Sequence, residues 1–154
     1  MRRPRRTPGV GVDAALLRSD RALGHYTHEK SPLSAVAALA TIEIIERDDL
    51  LSHASDLGDW AVQQLRTIAK THDIISDVRG LGLSIGVELY RDGQKACDEA
   101  DRILYDCLAN GLSFKISGGN VLTLTPPLTI TREQLDAAIQ IIANAIASVS
   151  LTVH

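Results

Sequence analysis

Aromatic side chains are scarce in this sequence: one Trp, one Phe and three Tyr among 154 residues. So few ring faces leave little on which bases can stack, which argues against a reader of single-stranded nucleic acid. Cysteine is scarcer still, with only Cys97 and Cys107. Both fall on one predicted helix, roughly 15 Å apart along its axis, whereas a disulfide needs Cα atoms within about 7 Å. They are read as two buried thiols, in keeping with a reducing cytoplasm. No apolar run reaches the roughly 18 residues of a membrane span. His25 and His28 stand close together, but no second ligand pair follows at a zinc-like spacing, so no metal site is expected.

What is present is ordinary globular material. Hydrophobic residues make up 45% and charged residues 23% of a 16.6 kDa chain, which predicts one domain with a true core built from Ala, Leu, Ile and Val. The net charge of −3 conceals an asymmetry, because residues 1–30 carry +4 and the remainder −7. The segment Met1-Arg2-Arg3-Pro4-Arg5-Arg6 is followed by no apolar stretch and is not a secretory signal. Pro4, Pro8 and Gly9 interrupt any helix there, so residues 1–20 read as a disordered basic tail. A nucleic-acid contact through that tail would have to be salt-sensitive and lost on its removal. No nucleic-acid partner is expected.

Ser31-Pro32 is an N-cap followed by proline in the first helical turn, and opens an Ala-rich helix to Arg47. Leu33, Val36, Ala37, Ala40 and Ile44 recur at helical spacing, and the small residues imply close packing on more than one side. A second helix is predicted from about Ser52 to Lys70, with Leu57, Ala61, Leu65 and Ile68 inward. A short strand is expected at Ile74–Val78. Then Leu81, Leu83, Ile85, Val87 and Leu89 alternate with Gly82, Ser84, Gly86 and Glu88, the pattern of one strand. Two glycines on one face imply a close neighbour. After the turn Arg91-Asp92-Gly93, Lys95–Ala109 reads as a helix burying Ala96, Ala100, Ile103, Leu104 and Cys107, stopped by Asn110-Gly111. Strands are expected at Leu112–Ile116 and Val121–Leu124. Thr131 to Gln134 has capping-box form and opens a last helix striped by Leu135, Ile139, Ile142, Ile146 and Val149. The order predicts an α/β (α+β) fold, a small mixed or antiparallel sheet covered by helices.

No set of these residues by itself makes a catalytic centre. Gly80-Leu81-Gly82 lacks the third glycine and the helix of a dinucleotide fingerprint. Ser117-Gly118-Gly119-Asn120 offers backbone N–H groups but leads into a strand, and a plain loop is the simpler reading. His25, Thr27, His28, Glu29 and Lys30 form a polar cluster ahead of a helix start, where free N–H groups and the helix dipole suit a phosphate. From composition alone, a solvated loop is the favoured reading of the cluster.

Longer segments carry more. Thr27-His28-Glu29-Lys30-Ser31-Pro32-Leu33 and the Ala-rich helix after it resemble the class III aminotransferase stretch Thr-Phe-Gly-Gly-Asn-Pro-Leu. Val78-Arg79-Gly80-Leu81-Gly82-Leu83 through Leu89 is similar to that family's Val-Arg-Gly-x-Gly-Leu strand. Gly119-Asn120-Val121-Leu122 and Pro126-Pro127-Leu128-Thr129-Ile130-Thr131 resemble its C-terminal signature. The three segments occur in family order and cover nearly everything from residue 21 onward.

The resemblance implies a fold type I enzyme dependent on pyridoxal phosphate, of the ornithine or 4-aminobutyrate type or a racemase-like relative. It would be cytoplasmic, dimeric, and active on an amino acid or amine. Residues 21–154 would correspond to the small C-terminal domain alone. The family's large domain, with its Schiff-base lysine, would be absent, since Lys30, Lys70, Lys95 and Lys115 match no such motif. The chain is therefore expected to be an inactive fragment, and the alternative is a non-catalytic interaction or regulatory module that keeps the small-domain fold. Thr27 matches the threonine that reaches the cofactor phosphate of the neighbouring subunit. Thr123 occupies the substrate-pocket position where many members carry an arginine for the substrate carboxylate. A hydroxyl there forgoes a bidentate guanidinium contact.

Overall fold

The computed structural model describes residues 31–150. The basic tail, the cluster around Thr27 and Thr27 itself lie outside the described residues. The chain divides into two compact units, residues 1–43 and 44–154.

Helix α1 spans Pro32–Arg47 and begins where the Ser-Pro signal places it. The Ser31 carbonyl accepts from the Ala35 N–H at 3.1 Å, and its hydroxyl accepts from the Ser34 N–H at 3.4 Å. None of its residues is buried. The packing expected of Leu33, Val36, Ala37, Ala40 and Ile44 is not found among the described residues, where Leu33 is 79% exposed and Val36 64%.

In the second unit, α2 (Leu50–Ala69) leads into β1 (Ile75–Leu81), β2 (Ser84–Arg91) and β3 (Gln94–Lys95). Then come α3 (Cys97–Ala109), β4 (Lys115–Ser117), β5 (Val121–Leu124) and α4 (Arg132–Ser150). The strands form one five-stranded antiparallel sheet in the order β1-β2-β5-β4, with β3 paired to the end of β2. Helices α2, α3 and α4 supply the apolar stripes that cover one face of it. Leu57, Ala61 and Leu65 of α2, and all five predicted stripe residues of α4, are buried. Opposite them lie Val78, Ile85, Val87, Leu89, Leu122 and Leu124. The other face keeps Arg79, Ser84, Gly86, Glu88 and Thr123 exposed or half-buried.

The capping box forms as read. The Thr131 N–H donates to Gln134 Oε1 at 3.0 Å, and the Gln134 N–H donates to Thr131 Oγ1 at 3.2 Å. The Arg132 guanidinium stacks 4.5 Å from the Trp60 ring centre, tying the start of α4 to α2. At the end of α3, the Leu112 N–H reaches the Cys107 carbonyl and the Gly111 N–H that of Leu108, the bond pair of a Schellman stop.

Three expectations are corrected. The alternating run is not one strand: Leu81 pairs with Ser84 across a two-residue turn at Gly82-Leu83, and Gly82 has φ +53°. A positive φ at the first turn position alone is the type II′ hairpin pattern, for which glycine is suited. Leu81 therefore ends β1 and is 89% exposed. Lys95 belongs to β3 rather than to a helix, because the Asp92-Gly93 turn is tight enough to return the chain to β2. Finally, Cys97 is exposed and only Cys107 buried, since Cys97 begins α3 at its solvent end; Leu104 is half-buried.

Candidate functional site on the open sheet face

The face of the sheet opposite α2, α3 and α4 holds an open groove of about 570 Å³, whose lining includes Arg79, Gly86, Glu88, Lys95, Ser117 and Thr123. Register builds it. Arg79 on β1 pairs with Gly86 on β2, Gly86 with Thr123 on β5, and Thr123 with Lys115 on β4. The next row is Asp77, Glu88, Val121 and Ser117. Alternation sends the side chains of both rows to the face opposite the core. In the first row, Gly86 is a gap between a cation and a hydroxyl.

Each polar group is held. Arg79 Nη1 donates to Asp77 Oδ2 and to Glu88 Oε2, both at 2.6 Å. These carboxylates, Asp77 first, hold the guanidinium further above its already high range. Thr123 Oγ1 donates to Ser117 Oγ at 2.9 Å. Lys95 Nζ donates to the Gly118 carbonyl at 3.1 Å, over a loop in which Gly118 and Gly119 take φ +61° and +85°. Asn120, the buried polar residue of the described set, fixes that loop. Its Nδ2 donates to the Leu89 carbonyl and its own carbonyl accepts from the Leu89 N–H, each at 2.9 Å. The side chain thus continues the ladder past the end of β5 and leaves no orphaned amide at the groove floor.

Of the two candidate site residues, Thr123 stands in this groove and Thr27 lies outside the described residues. The sequence reading passed over Arg79, Glu88 and Lys95 as site residues. The period-2 pattern of β2 placed Glu88 on the polar face, but cross-strand register, which brings Arg79 and Lys95 beside it, is a long-range property.

A pyridoxal phosphate needs a lysine amine in a desolvated pocket. Among the described residues, Lys70, Lys95 and Lys115 are exposed, and none fits that covalent anchor. No group of His, Cys, Asp and Glu among the described residues is placed to hold a metal ion. No described helix is long and apolar enough to cross a membrane.

Comparison with known proteins agrees with the segment pattern. The family model of class III aminotransferases matches residues 15–146. The chain is 44% identical over 151 residues to the (R)-1-hydroxy-2-aminoethylphosphonate ammonia-lyase of Vibrio splendidus, covering 92% of this chain and 32% of that protein. It is 42% identical to the leucine/methionine racemase of Thermococcus litoralis, over 82% of this chain and 30% of that one. Among solved structures, the ornithine δ-aminotransferase of Plasmodium falciparum superposes with a TM-score of 0.80 at 27% identity, over 92% of this chain and 35% of that one. The chain spans about a third of the length of the curated relatives it matches. By sequence pattern, family match and fold, it belongs to the class III aminotransferase family.

Proposed function

We propose that this chain is the C-terminal part of a pyridoxal-phosphate-dependent enzyme that acts on the amino group of an amino acid or amine, by transfer, racemisation or elimination. The family match over residues 15–146 carries this reading. When bound, the cofactor supplies the electron sink of that chemistry. The chain's share is binding and orientation. Thr27, ahead of α1, contacts the cofactor phosphate of a second subunit in a cytoplasmic homodimer, with no role for nucleic acid or membrane. Thr123 and its neighbours on the open face form part of the substrate wall. Elimination is favoured among the three reactions, because the 44% identity to an ammonia-lyase extends over 92% of this chain.

Alone, the chain is inactive. Incubation with pyridoxal phosphate and borohydride leaves no stoichiometric adduct on one lysine, because an exposed lysine lacks the environment that activates it. The decisive experiment joins residues 21–154, Thr27 included, to the upstream two-thirds of the Vibrio splendidus ammonia-lyase, replacing that enzyme's own C-terminal part. Ammonia release from (R)-1-hydroxy-2-aminoethylphosphonate is expected. A folded, cofactor-loaded chimera inert toward that compound and toward ordinary amino donors would instead make this chain a non-catalytic module.

A further inference from the structure

We propose that the cleft between α2 and the start of α4 binds a free α-amino acid as its zwitterion, with the ligand's carboxylate on Arg132 and its ammonium on Asp56. The cleft lies on the helix-covered side of the sheet, away from the open face. The inference therefore goes beyond the enzymatic reading and does not depend on it.

Two contacts frame the cleft. His53 Nε2 meets the Ile130 carbonyl at 2.9 Å, and the Arg132 guanidinium stacks on Trp60 at 4.5 Å. Along α2, His53 and Trp60 are separated by two turns, roughly 10 Å, whereas Ile130 and Arg132 lie at most about 7 Å apart in the chain. The two contacts converge on the start of α4 and hold open a gap of about 240 Å³ beside α2. Asp56 falls between His53 and Trp60 on the same helix face, and it lines the gap together with the buried Leu57.

The groups left over carry the chemistry. Among the described residues, Asp56 has no hydrogen bond or ion pair, and Arg132 has its indole stack but no carboxylate partner. Asp136, one turn along α4, forms no ion pair with it. The Glu133 carboxyl is drawn first to its own backbone N–H and to the Thr131 hydroxyl, with Arg132 the smallest of its attractions. Stacking fixes the guanidinium plane and leaves its N–H edge, a planar fork suited to two carboxylate oxygens. A carbonyl only accepts, so His53 Nε2 carries a proton, and Nδ1 of the neutral ring is left as an acceptor. One side of the cleft thus offers donors in want of acceptors, and the α2 wall offers acceptors in want of donors. A simple anion would meet the Asp56 charge and a simple cation the Arg132 charge. A molecule with both charges two bonds apart satisfies each, and Leu57 and the Trp60 ring give its side chain an apolar surface.

The test uses the full chain in dilute solution, with no cofactor added, and follows the fluorescence of Trp60, the sole tryptophan. L-Leucine is titrated beside isocaproate, which lacks the ammonium, and isoamylamine, which lacks the carboxylate. A saturable change is expected with L-leucine, and binding at least tenfold weaker with either analogue. Asp56→Asn and Arg132→Gln should each weaken L-leucine at least tenfold, and Arg132→Lys should fail to restore it because an ammonium has no fork. Asp56 is exposed and holds no described neighbour, so Asp56→Asn keeps the test decisive should loss of the Arg132 stack disturb the fold. Arg102→Gln, on the exposed side of α3, should bind as the parent does. A response that is absent or does not saturate would overturn the site. So would an analogue that binds as tightly as L-leucine, or an unchanged affinity in Asp56→Asn. None of these outcomes bears on the chimera, so the site and the enzymatic reading fail separately.

Discussion

Gly58 of α2 lies against the backbone of Gly82, so closely that a methyl group on Gly58 would overlap the Gly82 carbonyl. The helix therefore packs on the β1–β2 turn backbone to backbone. That contact sets how near α2 comes to the sheet, and through it the depth of the core beneath the open face.

Gly58→Ala should destabilise the protein even though alanine is the better helix former by about 1 kcal/mol. The carbonyl has no flexible side chain to move aside, and overpacking of this kind costs about 1–3 kcal/mol or more. At about 4 °C per kcal/mol for a chain of this size, thermal unfolding followed by Trp60 fluorescence should shift down by several degrees. A raised or unchanged midpoint would mean that the turn yields freely.

The helices were legible in the sequence because their signals are local. The Ser31-Pro32 start, the Thr131–Gln134 box and the five-residue stripe of α4 each act within a few turns, and all appear where they were read. The hairpin was not legible. Leu81 to Leu89 alternates through the turn, and only φ +53° at Gly82, imposed by pairing and by α2 above it, breaks the run into two strands. The candidate site was legible to the same limited degree. Thr123 was singled out because a family pattern marks its position, and it lines the groove, whereas Arg79 and Lys95 reach the groove through strand pairing that no local pattern encodes.

The two thiols should behave differently. Burial, with a smaller contribution from Asp106, pushes the Cys107 thiol up to about 11, while Cys97 is exposed. One thiol per native chain should therefore react rapidly with Ellman's reagent at pH 8, and two in denaturant. The sign of the pH effect follows from linkage. An unfolded thiol ionises above about pH 8.5 while folded Cys107 keeps its proton, so stability should fall as pH rises from there towards 11. Two fast thiols in the native chain, or stability that climbs across that window, would contradict the burial of Cys107.

Thr27→Ala, made in a complete enzyme carrying this C-terminal part, should weaken cofactor retention without unfolding the protein. A hydrogen bond to a charged phosphate contributes about 1.5–3 kcal/mol, or roughly 10- to 150-fold in affinity. Equilibrium dialysis against pyridoxal phosphate measures the change. An unaltered dissociation constant would remove Thr27 from the phosphate site.

Expressed alone, the chain should self-associate more than a typical domain of its size. Leu33, Val36, Leu39, Ile42 and Ile44 of α1 are each 41–79% exposed. Their positions run around the helix too widely for one buried stripe, so the helix has the composition of one covered on several sides. Leu51 and Leu81, at 72% and 89% exposed, add apolar surface on the second unit. Contiguous apolar patches beyond a few hundred Å² mark interfaces or aggregation sites. Size exclusion coupled to light scattering should show mass rising with concentration, accompanied by ANS fluorescence. Substituting Leu33, Val36 and Leu39 by Gln should reduce both, since these side chains make no buried contact whose loss would unfold the described core. A monomer at high concentration that binds no dye would show instead that the chain covers this surface itself.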